Sequence, residues 1–425
     1  MGSVVVRGAA LGLNFVVSVI LARTIGPRGY GLYAFALSMT ALLAIPSTAA
    51  LSTLVVREVA AGVARKRDDL VAGVTRWSDR RGLALALSAV LVALLVGLVL
   101  HARLTSEGRL TFTIALALVP LSALIAIRAA TLRGLHHVVA GQAPEQIVVP
   151  AVLLAALGIV FATGHGGAVD SVLAIALYVT AALAALTVSA VMLARWRPAG
   201  VRSAEPRYDA RAWRAAVVPL LFVSGFAYAN RELGLLLVGS IAGPTDAGIY
   251  RVAVRGATLV TFALGGVNAA VAPRLARLHA MGDVAALRRM LRLAALASLA
   301  WALPVAALLI GFSTWILTTI FGADYAVAAT SLTILCLGQL VNAATGPVGL
   351  LLNMTGRERV TARGHAVALA VGLIAGLILI PRWGVAGAAA ASALSMVTWN
   401  VTFAVIVARS LGITDRRRAR TGGGA

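Results

Sequence analysis

The amino-acid sequence predicts an all-α, polytopic membrane protein with about twelve transmembrane helices in two pseudo-symmetric six-helix lobes around a central cavity. Composition is the first observation behind this prediction. Hydrophobic residues make up 60% of the chain and charged residues only 12%, whereas about 25% of the residues in a soluble domain are charged. The second observation is that the apolar residues fall into long runs. The third is that a phrase joining two of these runs occurs twice.

The apolar runs provide twelve candidate membrane spans, six in each half of the chain. About 20 apolar residues cross the hydrocarbon core as a helix. By this measure the fifth and eleventh runs are short, and the second is long enough to extend beyond the membrane. The runs lie at 4–22, 30–56, 82–100, 111–127, 148–162, 172–194, 216–241, 249–272, 293–317, 327–352, 365–380 and 385–408.

The repeated phrase indicates an internal duplication. Its two copies are Gly26-Pro27 with Gly31-Leu32-Tyr33, and Gly243-Pro244 with Gly248-Ile249-Tyr250. Glycine-rich turns can match by chance, but Tyr is rare here, with 7 residues in the chain. The same shift, from 26 to 243, also carries Gly167 to Gly384. Six spans per copy is an even number, so both copies insert in one orientation, and such halves enclose a central site in many secondary transporters.

These patterns divide the chain into four parts. The predicted N-terminal lobe is 1–194, a cytoplasmic linker with Pro198 and Pro206 follows at 195–215, and the C-terminal lobe is 216–409. The basic tail, 410–425, is expected to be disordered. The first run resembles a signal peptide, but no small-residue cleavage site precedes Gly26, so we expect it to be retained. Because this span begins almost at Met1, the sequence leaves room for a native start upstream.

Basic residues are concentrated on one side of the predicted topology. Most of the 37 Lys and Arg residues lie at the start of the first span, as Arg7 does, or in connections that follow even-numbered spans. The opposite side carries only Arg23, Arg28, Arg103, Arg109 and Arg382. This asymmetry follows the positive-inside rule, which places both termini in the cytoplasm and the protein in the cytoplasmic membrane. The net charge of +22 therefore indicates topology and attraction to membrane lipid, and nucleic acid is not a predicted partner.

Three arginines and one glutamate lie within spans, where charge is costly. Arg231 and Glu232 lie near the middle of the seventh span, about 15 Å from its outer end at 1.5 Å per residue. A charge at the bilayer centre costs about 2.5–3.5 kcal/mol on insertion scales, so it should face the bundle interior or water. Arg251 and Arg255 are four residues apart on one face of the eighth span. Snorkelling to the headgroups is the alternative for these two arginines.

The first span offers a matching polar stripe. Arg7, Asn14 and Ser18 share one side of that helix, and the repeat shift carries Asn14 to Arg231. The alternative is that Arg7 flanks the span in the cytoplasm and that Asn14 makes interhelical hydrogen bonds. The predicted cavity-lining residues, all candidates for substrate binding, are Arg231, Glu232, Arg255, Arg251, Asn230, Asn14 and Arg7.

The chemistry that is missing from the sequence disfavours an enzyme. The single lysine, Lys66, lies in no phosphate-binding loop. The six histidines have no metal-ligand spacing on a helix. Cys336 is the one cysteine and lies in an apolar run, where packing is its expected role. No cofactor or metal site is predicted, although coupling to H⁺ or Na⁺ is compatible with a transporter.

Four segments resemble the polysaccharide biosynthesis family of oligosaccharide flippases. These flippases share a superfamily with multidrug extruders and the peptidoglycan-precursor flippase. The resemblance covers essentially the whole chain through diffuse motifs, and many relatives have fourteen spans rather than twelve. The segments are Leu21–Ala34 (LARTIGPRGYGLYA), Asn230–Gly239 (NRELGLLLVG), Gly248–Ala253 (GIYRVA) and Asn268–Ala276 (NAAVAPRLA).

The resemblance implies a V-shaped cavity and alternating access that moves a polyprenyl-pyrophosphate-linked glycan to the outer leaflet. Other polysaccharide assembly proteins are its implied partners. Arg matches phosphate oxygens, so the arginines in spans are expected to bind pyrophosphate or an acidic sugar, with Glu232 balancing charge or carrying an ion. A multidrug or metabolite antiporter of the same architecture remains an alternative. A membrane glycosyltransferase, polymerase or ligase is a further one, which would need a large outward loop with carboxylates.

Overall fold

The computed structural model of the protein describes residues 2–100 and 105–410. These residues are almost entirely helical and contain no β-strand. The chain forms two compact units, Met1–Tyr228 and Ala229–Ala425. The tail predicted at 410–425 lies outside the described residues except for Ser410.

The N-terminal unit contains eight helices and the beginning of a ninth. A π-helical turn, Pro144–Val148, joins the fifth to the sixth. The helices are α1 (Gly2–Ala64), α2 (Asp68–Leu100), α3 (Ser106–Ala115), α4 (Leu118–Gly134), α5 (Val138–Ala143), α6 (Val149–Ala162), α7 (Ser171–Trp196), α8 (Ala199–Ser203) and α9 (Ala210–Ile241).

The C-terminal unit begins inside α9 and continues through seven further helices. A 3₁₀ turn, Leu259–Thr261, joins the first two of these. They are α10 (Pro244–Thr258), α11 (Phe262–Ala280), α12 (Val284–Gly311), α13 (Ser313–Phe321), α14 (Ala329–Thr345), α15 (Val348–Met354) and α16 (Glu358–Ser410).

The predicted multi-span helical architecture is confirmed over the described residues. Ten helical segments are long and apolar enough to cross a membrane. Two of them, Val5–Ala64 and Glu358–Ser410, each contain one non-helical glycine, Gly26 and Gly384 respectively. Each of these two segments is therefore a pair of helices. The described residues thus provide twelve crossing segments, six before Trp196 and six after Ala210.

The duplicated phrase adopts the same backbone conformation in both units. Gly26 has φ 66° and ψ 178°, and Gly243 has φ 97° and ψ 178°. A positive φ suits glycine, which has no Cβ, and the following proline restricts this position to extended ψ values. Tyr33 and Tyr250, seven residues after each glycine, are both buried. The Gly-Pro pair therefore separates two helices at equivalent points and anchors the second with a buried tyrosine.

The predicted linker, 195–215, includes the first turns of α9 and packs on the N-terminal unit. Val201 and Trp213 belong to a buried cluster that includes Trp77 of α2. The indoles of Trp77 and Trp213 have centroids 5.4 Å apart, and the Arg207 amide donates to the Asp69 carbonyl at 3.0 Å. The structure therefore holds much of 195–215 against the N-terminal part of α2.

Candidate functional site

The charged residues of the seventh and eighth spans form an ion pair in the C-terminal unit. Arg251 Nη1 on α10 lies 3.8 Å from Glu232 Oε2 on α9. Their side chains are only 18% and 13% exposed. Tyr250, which precedes Arg251 on α10, is itself buried. This pairing explains how two charged side chains remain inside an apolar unit, because each offsets part of the desolvation of the other.

Two more predicted arginines flank this pair. Arg231 precedes Glu232 on α9, and its side chain is exposed. Arg255 lies one helical turn after Arg251 on α10 and is partly buried. Residues at i and i+4 share a helix face, so α10 presents two guanidinium groups in sequence. The local balance is three positive charges to one negative charge.

Asn230 connects α9 to α16 through two hydrogen bonds. Its Nδ2 donates to the carbonyl oxygen of His365 at 2.7 Å, and Ser395 Oγ donates to its Oδ1 at 2.9 Å. Ser395 Oγ also lies 2.8 Å from the carbonyl oxygen of Ala368. A buried amide is stable only when its polar atoms are paired. Asn230 therefore has a clear structural role beside the charged pair.

A second polar link joins α10 to α16. The hydroxyls of Tyr250 and Ser392 lie 2.8 Å apart. Gly234 of α9 packs directly against these two hydroxyls, where a Cβ would have no space. A small cavity in this unit is lined by Asn230, Gly234, Ser392 and Ser395 among apolar neighbours. Polar side chains of α9, α10 and α16 thus pack together, and those of α9 lie within two helical turns of Glu232.

The predicted residues of the first span lie in the N-terminal unit and bond locally. Asn14 Nδ2 donates to the Ala10 carbonyl at 2.8 Å, and Ser18 Oγ donates to the Asn14 carbonyl at 2.8 Å. Asn14 is partly buried and Arg7 is exposed. The hydrogen bonds of Asn14 and Ser18 within α1 are typical of polar residues that satisfy themselves on their own helix. The assignment of Asn14 and Arg7 to substrate binding stays a prediction.

Sequence reasoning did not select several residues that complete this arrangement. Tyr250 stood out only as part of the repeated phrase, and Ser392, Ser395 and Gly234 did not stand out at all. Small and hydroxyl residues are ordinary at helix interfaces in membranes, so their composition gives no signal. Their separation along the chain, 142 residues for Tyr250 and Ser392, hides the pairing from local patterns.

Solved structures show which class of protein has this fold. An inward-facing multidrug resistance MATE transporter of the MOP superfamily superposes with a TM-score of 0.74 at 13% identity, over 97% of this chain and 99% of that one. Lipid II flippase MurJ in an inward closed conformation gives 0.73 at 13% identity, over 99% and 93%. A MOP transporter from Pyrococcus furiosus gives 0.67 at 12% identity, over 98% and 95%. The protein therefore has the fold of MOP superfamily transporters.

A family model identifies the group within this class. The model described as "Polysaccharide biosynthesis protein" matches residues 3–279. The chain belongs to this polysaccharide biosynthesis family, as the resemblance of its motifs indicated. A search of curated proteins found no match.

Proposed function

We propose that this protein is a flippase that carries a polyprenyl-pyrophosphate-linked oligosaccharide across the cytoplasmic membrane for cell-surface polysaccharide synthesis. One observation carries the proposal. The charged side chains of this site in the C-terminal unit are three arginines, Arg231, Arg251 and Arg255, and one glutamate, Glu232. The distance from Arg251 Nη1 to Glu232 Oε2 is 3.8 Å, which is long for a charged pair. A site with excess guanidinium charge favours an anionic substrate.

The geometry leaves Arg251 able to bind another anionic group besides the Glu232 carboxylate. Charged N–H···O bonds are about 2.7–2.9 Å long, so a separation of 3.8 Å is an ion pair without a direct hydrogen bond. A guanidinium group has five N–H donors in a planar fork that matches phosphate oxygens. A pyrophosphate oxygen could therefore displace the Glu232 carboxylate and gain shorter bonds. Arg255, one turn away on α10, would supply a second fork to the same group.

Family and fold support this assignment from another direction. The family model concerns polysaccharide biosynthesis, and one protein of the same fold is a lipid II flippase. Flippases and drug transporters share this architecture, so the charge of the site has to distinguish them. The Pyrococcus furiosus transporter is itself described as having a binding pocket of reverse polarity that suggests a different function.

Alternating access and ion coupling belong to the same proposal. Both termini would lie in the cytoplasm, where the substrate lipid is assembled, and the lobes would expose the site to each side in turn. Glu232 would balance the arginines or carry a coupling H⁺ or Na⁺. The small cavity beside Asn230 and Ser395 lies in the same unit and would respond to movement of α16. No catalytic residue is assigned, because transport changes no covalent bond of the substrate.

Reconstituted vesicles test the proposal. A fluorescent polyprenyl-pyrophosphate saccharide is placed in one leaflet, and its appearance in the other is followed by quenching. Arg251→Gln and Arg231→Ala are each expected to slow flipping by about tenfold, from loss of a charged hydrogen bond of about 1.5 kcal/mol. Arg359→Gln is the matched control, because Arg359 is an exposed arginine outside the site. Flipping by both site variants at the wild-type rate would remove these arginines from the mechanism.

A multidrug antiporter is the second candidate, favoured by the TM-score of 0.74 with a MATE transporter. Drugs exported by such an antiporter are expected to be cationic, and the arginine excess near Glu232 would repel them. We therefore expect expression of this protein to leave resistance to cationic dyes unchanged. Increased resistance that is lost in Glu232→Gln would favour the antiporter over the flippase.

A further inference from the structure

A second cluster of charges lies next to the apolar runs of three N-terminal helices, apart from the candidate site. Asp79 is on α2, Arg128 is on α4 and Arg197 follows α7. The apolar runs of these helices begin at 82 and end at 127 and 194. Each of the three charges is therefore within three residues of the apolar part of its helix. At 1.5 Å per residue this is within about 5 Å along the axis, which places the cluster at the level of the lipid headgroups.

The cluster contains more positive than negative charge. Asp79 is close enough to Arg128 and Arg197 for electrostatic attraction. Arg197 is in turn close enough to Arg76 and Arg202 for electrostatic repulsion. Asp79 thus has two arginines nearby, and Arg197 has two more. Burial, followed by the nearby charge of Arg76, lowers the pKa of Arg197 from its usual value. The environment of Arg197 is therefore one in which an added anion would be stabilised.

Polar atoms at the centre of the cluster have no hydrogen-bond partner in the described part of the chain. These are Asp79 Oδ1 and Arg197 Nη2, and both are buried. Buried polar atoms are almost always paired, and an unpaired one costs about 1–3 kcal/mol. Arg128 directs Nη1 to the Leu186 carbonyl at 3.2 Å, which leaves its other donors for additional partners. Arg197 Nη2 is therefore a buried donor that an anionic oxygen could pair with, whereas Asp79 Oδ1 is an acceptor and would not contact such an anion.

The chain after α7 holds the arginines in fixed positions. Arg202 of α8 donates through Nη2 to the carbonyl oxygen of Ala194, near the end of α7. Val201 of the same short helix is buried with Trp77 and Trp213. Arg197 and Arg202 therefore belong to a packed segment, unlike the arginines of a loose polybasic tail.

We propose that Arg76, Arg128, Arg197 and Arg202 bind the phosphate of an anionic membrane lipid at the basic side of the N-terminal unit. Guanidinium forks match phosphate oxygens, and basic pockets between transmembrane helices bind anionic headgroups. A soluble phosphate offers the same oxygens. The depth of Asp79 and Arg128, next to the apolar runs, favours a phosphate that is itself anchored in the bilayer. This site is independent of the proposed transport function.

The test measures lipid binding by the full-length protein. Nanodiscs contain phosphatidylcholine alone or with phosphatidylglycerol, and retained phosphatidylglycerol is counted by native mass spectrometry alongside the melting temperature. Wild type is expected to retain phosphatidylglycerol and to melt at a higher temperature in its presence. Arg197→Gln is expected to bind it about tenfold more weakly. Arg76→Gln and Arg202→Gln change exposed side chains, so they extend the test if Arg197→Gln fails to fold.

Controls separate this site from general surface attraction and from soluble anions. Arg359→Gln removes an exposed arginine of the C-terminal unit and is expected to retain wild-type binding. An equal loss in Arg359→Gln, or no effect of phosphatidylglycerol on wild type, would overturn the proposal. Inorganic phosphate is added to phosphatidylcholine nanodiscs as a second arm. If it stabilises wild type as much as phosphatidylglycerol and displaces that lipid, the site binds soluble phosphate and the lipid assignment is wrong.

Discussion

Gly234 of α9 provides the sharpest test of packing around the candidate site. A Cβ at this position would overlap the hydroxyl oxygens of Tyr250 and Ser392, and it would lie 2.9 Å from Tyr250 Cζ. Tyr250 is 4% exposed, so its ring has little room to move away. Gly234→Ala should therefore break the 2.8 Å hydrogen bond between the two hydroxyls and shift Tyr250, the neighbour of Arg251 in the chain.

The expected loss of stability follows from three terms. Overpacking a filled interior costs about 1–3 kcal/mol, and loss of a buried hydrogen bond costs about 0.5–1.5 kcal/mol. The higher helix propensity of alanine offsets up to about 1 kcal/mol of this loss of stability. The free energy of unfolding should therefore fall by about 1–3 kcal/mol. For a unit of about 200 residues this lowers the melting temperature by roughly 2–12 °C.

Thermal unfolding of the purified protein in detergent, followed by intrinsic fluorescence, measures this change. Gly266→Ala is the matched control, because a Cβ at Gly266 of α11 meets nothing within 4 Å and should leave stability equal or higher. Tyr250→Phe combined with Ser392→Ala removes both overlapping oxygens, so Gly234→Ala should cost less in that background. A melting temperature for Gly234→Ala at or above that of wild type would refute the packing described for Tyr250.

Further predictions concern the helix breaks, the core and the charge balance. Gly26→Ala and Gly243→Ala each place a Cβ at positive φ with extended ψ, so each should lower the free energy of unfolding by about 1–3 kcal/mol in the same thermal assay; unchanged stability would contradict the equivalence of the two breaks. Thr345 Oγ1 donates to Asn400 Oδ1 at 2.8 Å, and Asn400 is fully buried. Thr345→Val should therefore lower the free energy of unfolding by about 1–3 kcal/mol in the same assay, because it leaves the buried Asn400 Oδ1 without its donor; unchanged stability would contradict this. In Asn400→Ala, by contrast, Thr345 Oγ1 keeps carbonyl acceptors on its own helix. Glu232→Gln removes a carboxylate that competes for Arg251, so polyprenyl pyrophosphate should bind about fivefold more tightly, as ~1 kcal/mol of relieved repulsion would give; weaker binding in native mass spectrometry would contradict this.

The fold was predictable because its signals are local and repeated. Apolar run length determines each span, and the Gly-Pro phrase marks the same helix break twice, at Gly26 and Gly243. The charged residues were also visible, because Glu232 and Arg251 are conspicuous in apolar runs. Their pairing was not predicted, since it depends on how α9 and α10 rotate against each other after Gly243. The role of Ser395 could not be predicted for a different reason, because one serine in an alanine-rich helix is common. Only its 2.9 Å hydrogen bond to Asn230 in the structure shows that role.

Comparison of equivalent positions explains why polar groups collect in the second copy. In the N-terminal unit, Tyr33 lies 6.1 Å from Tyr30 and 6.3 Å from Tyr178 between ring centroids, so aromatic rings fill the space behind the repeated phrase. The repeat shift carries Tyr178 to Ser395, which replaces a ring with a hydroxymethyl group. The same shift pairs two apolar residues of the first span with an asparagine and a glycine of the seventh span. The corresponding pairs are Leu13 and Asn230, Val17 and Gly234, and Tyr178 and Ser395.

These replacements act together on one region of the C-terminal unit. The volume lost at Ser395 and Gly234 admits the Tyr250 hydroxyl and leaves the small cavity, while Asn230 supplies hydrogen bonds where Leu13 supplies only packing. An ion pair such as Glu232 with Arg251 is tolerable beside such polar groups and would be costly beside a filled apolar core. The duplication therefore kept the scaffold, with its glycine break and buried tyrosine, in both copies. In this region the second copy has less packing volume and more polar groups, an arrangement that would suit the anionic substrate proposed above.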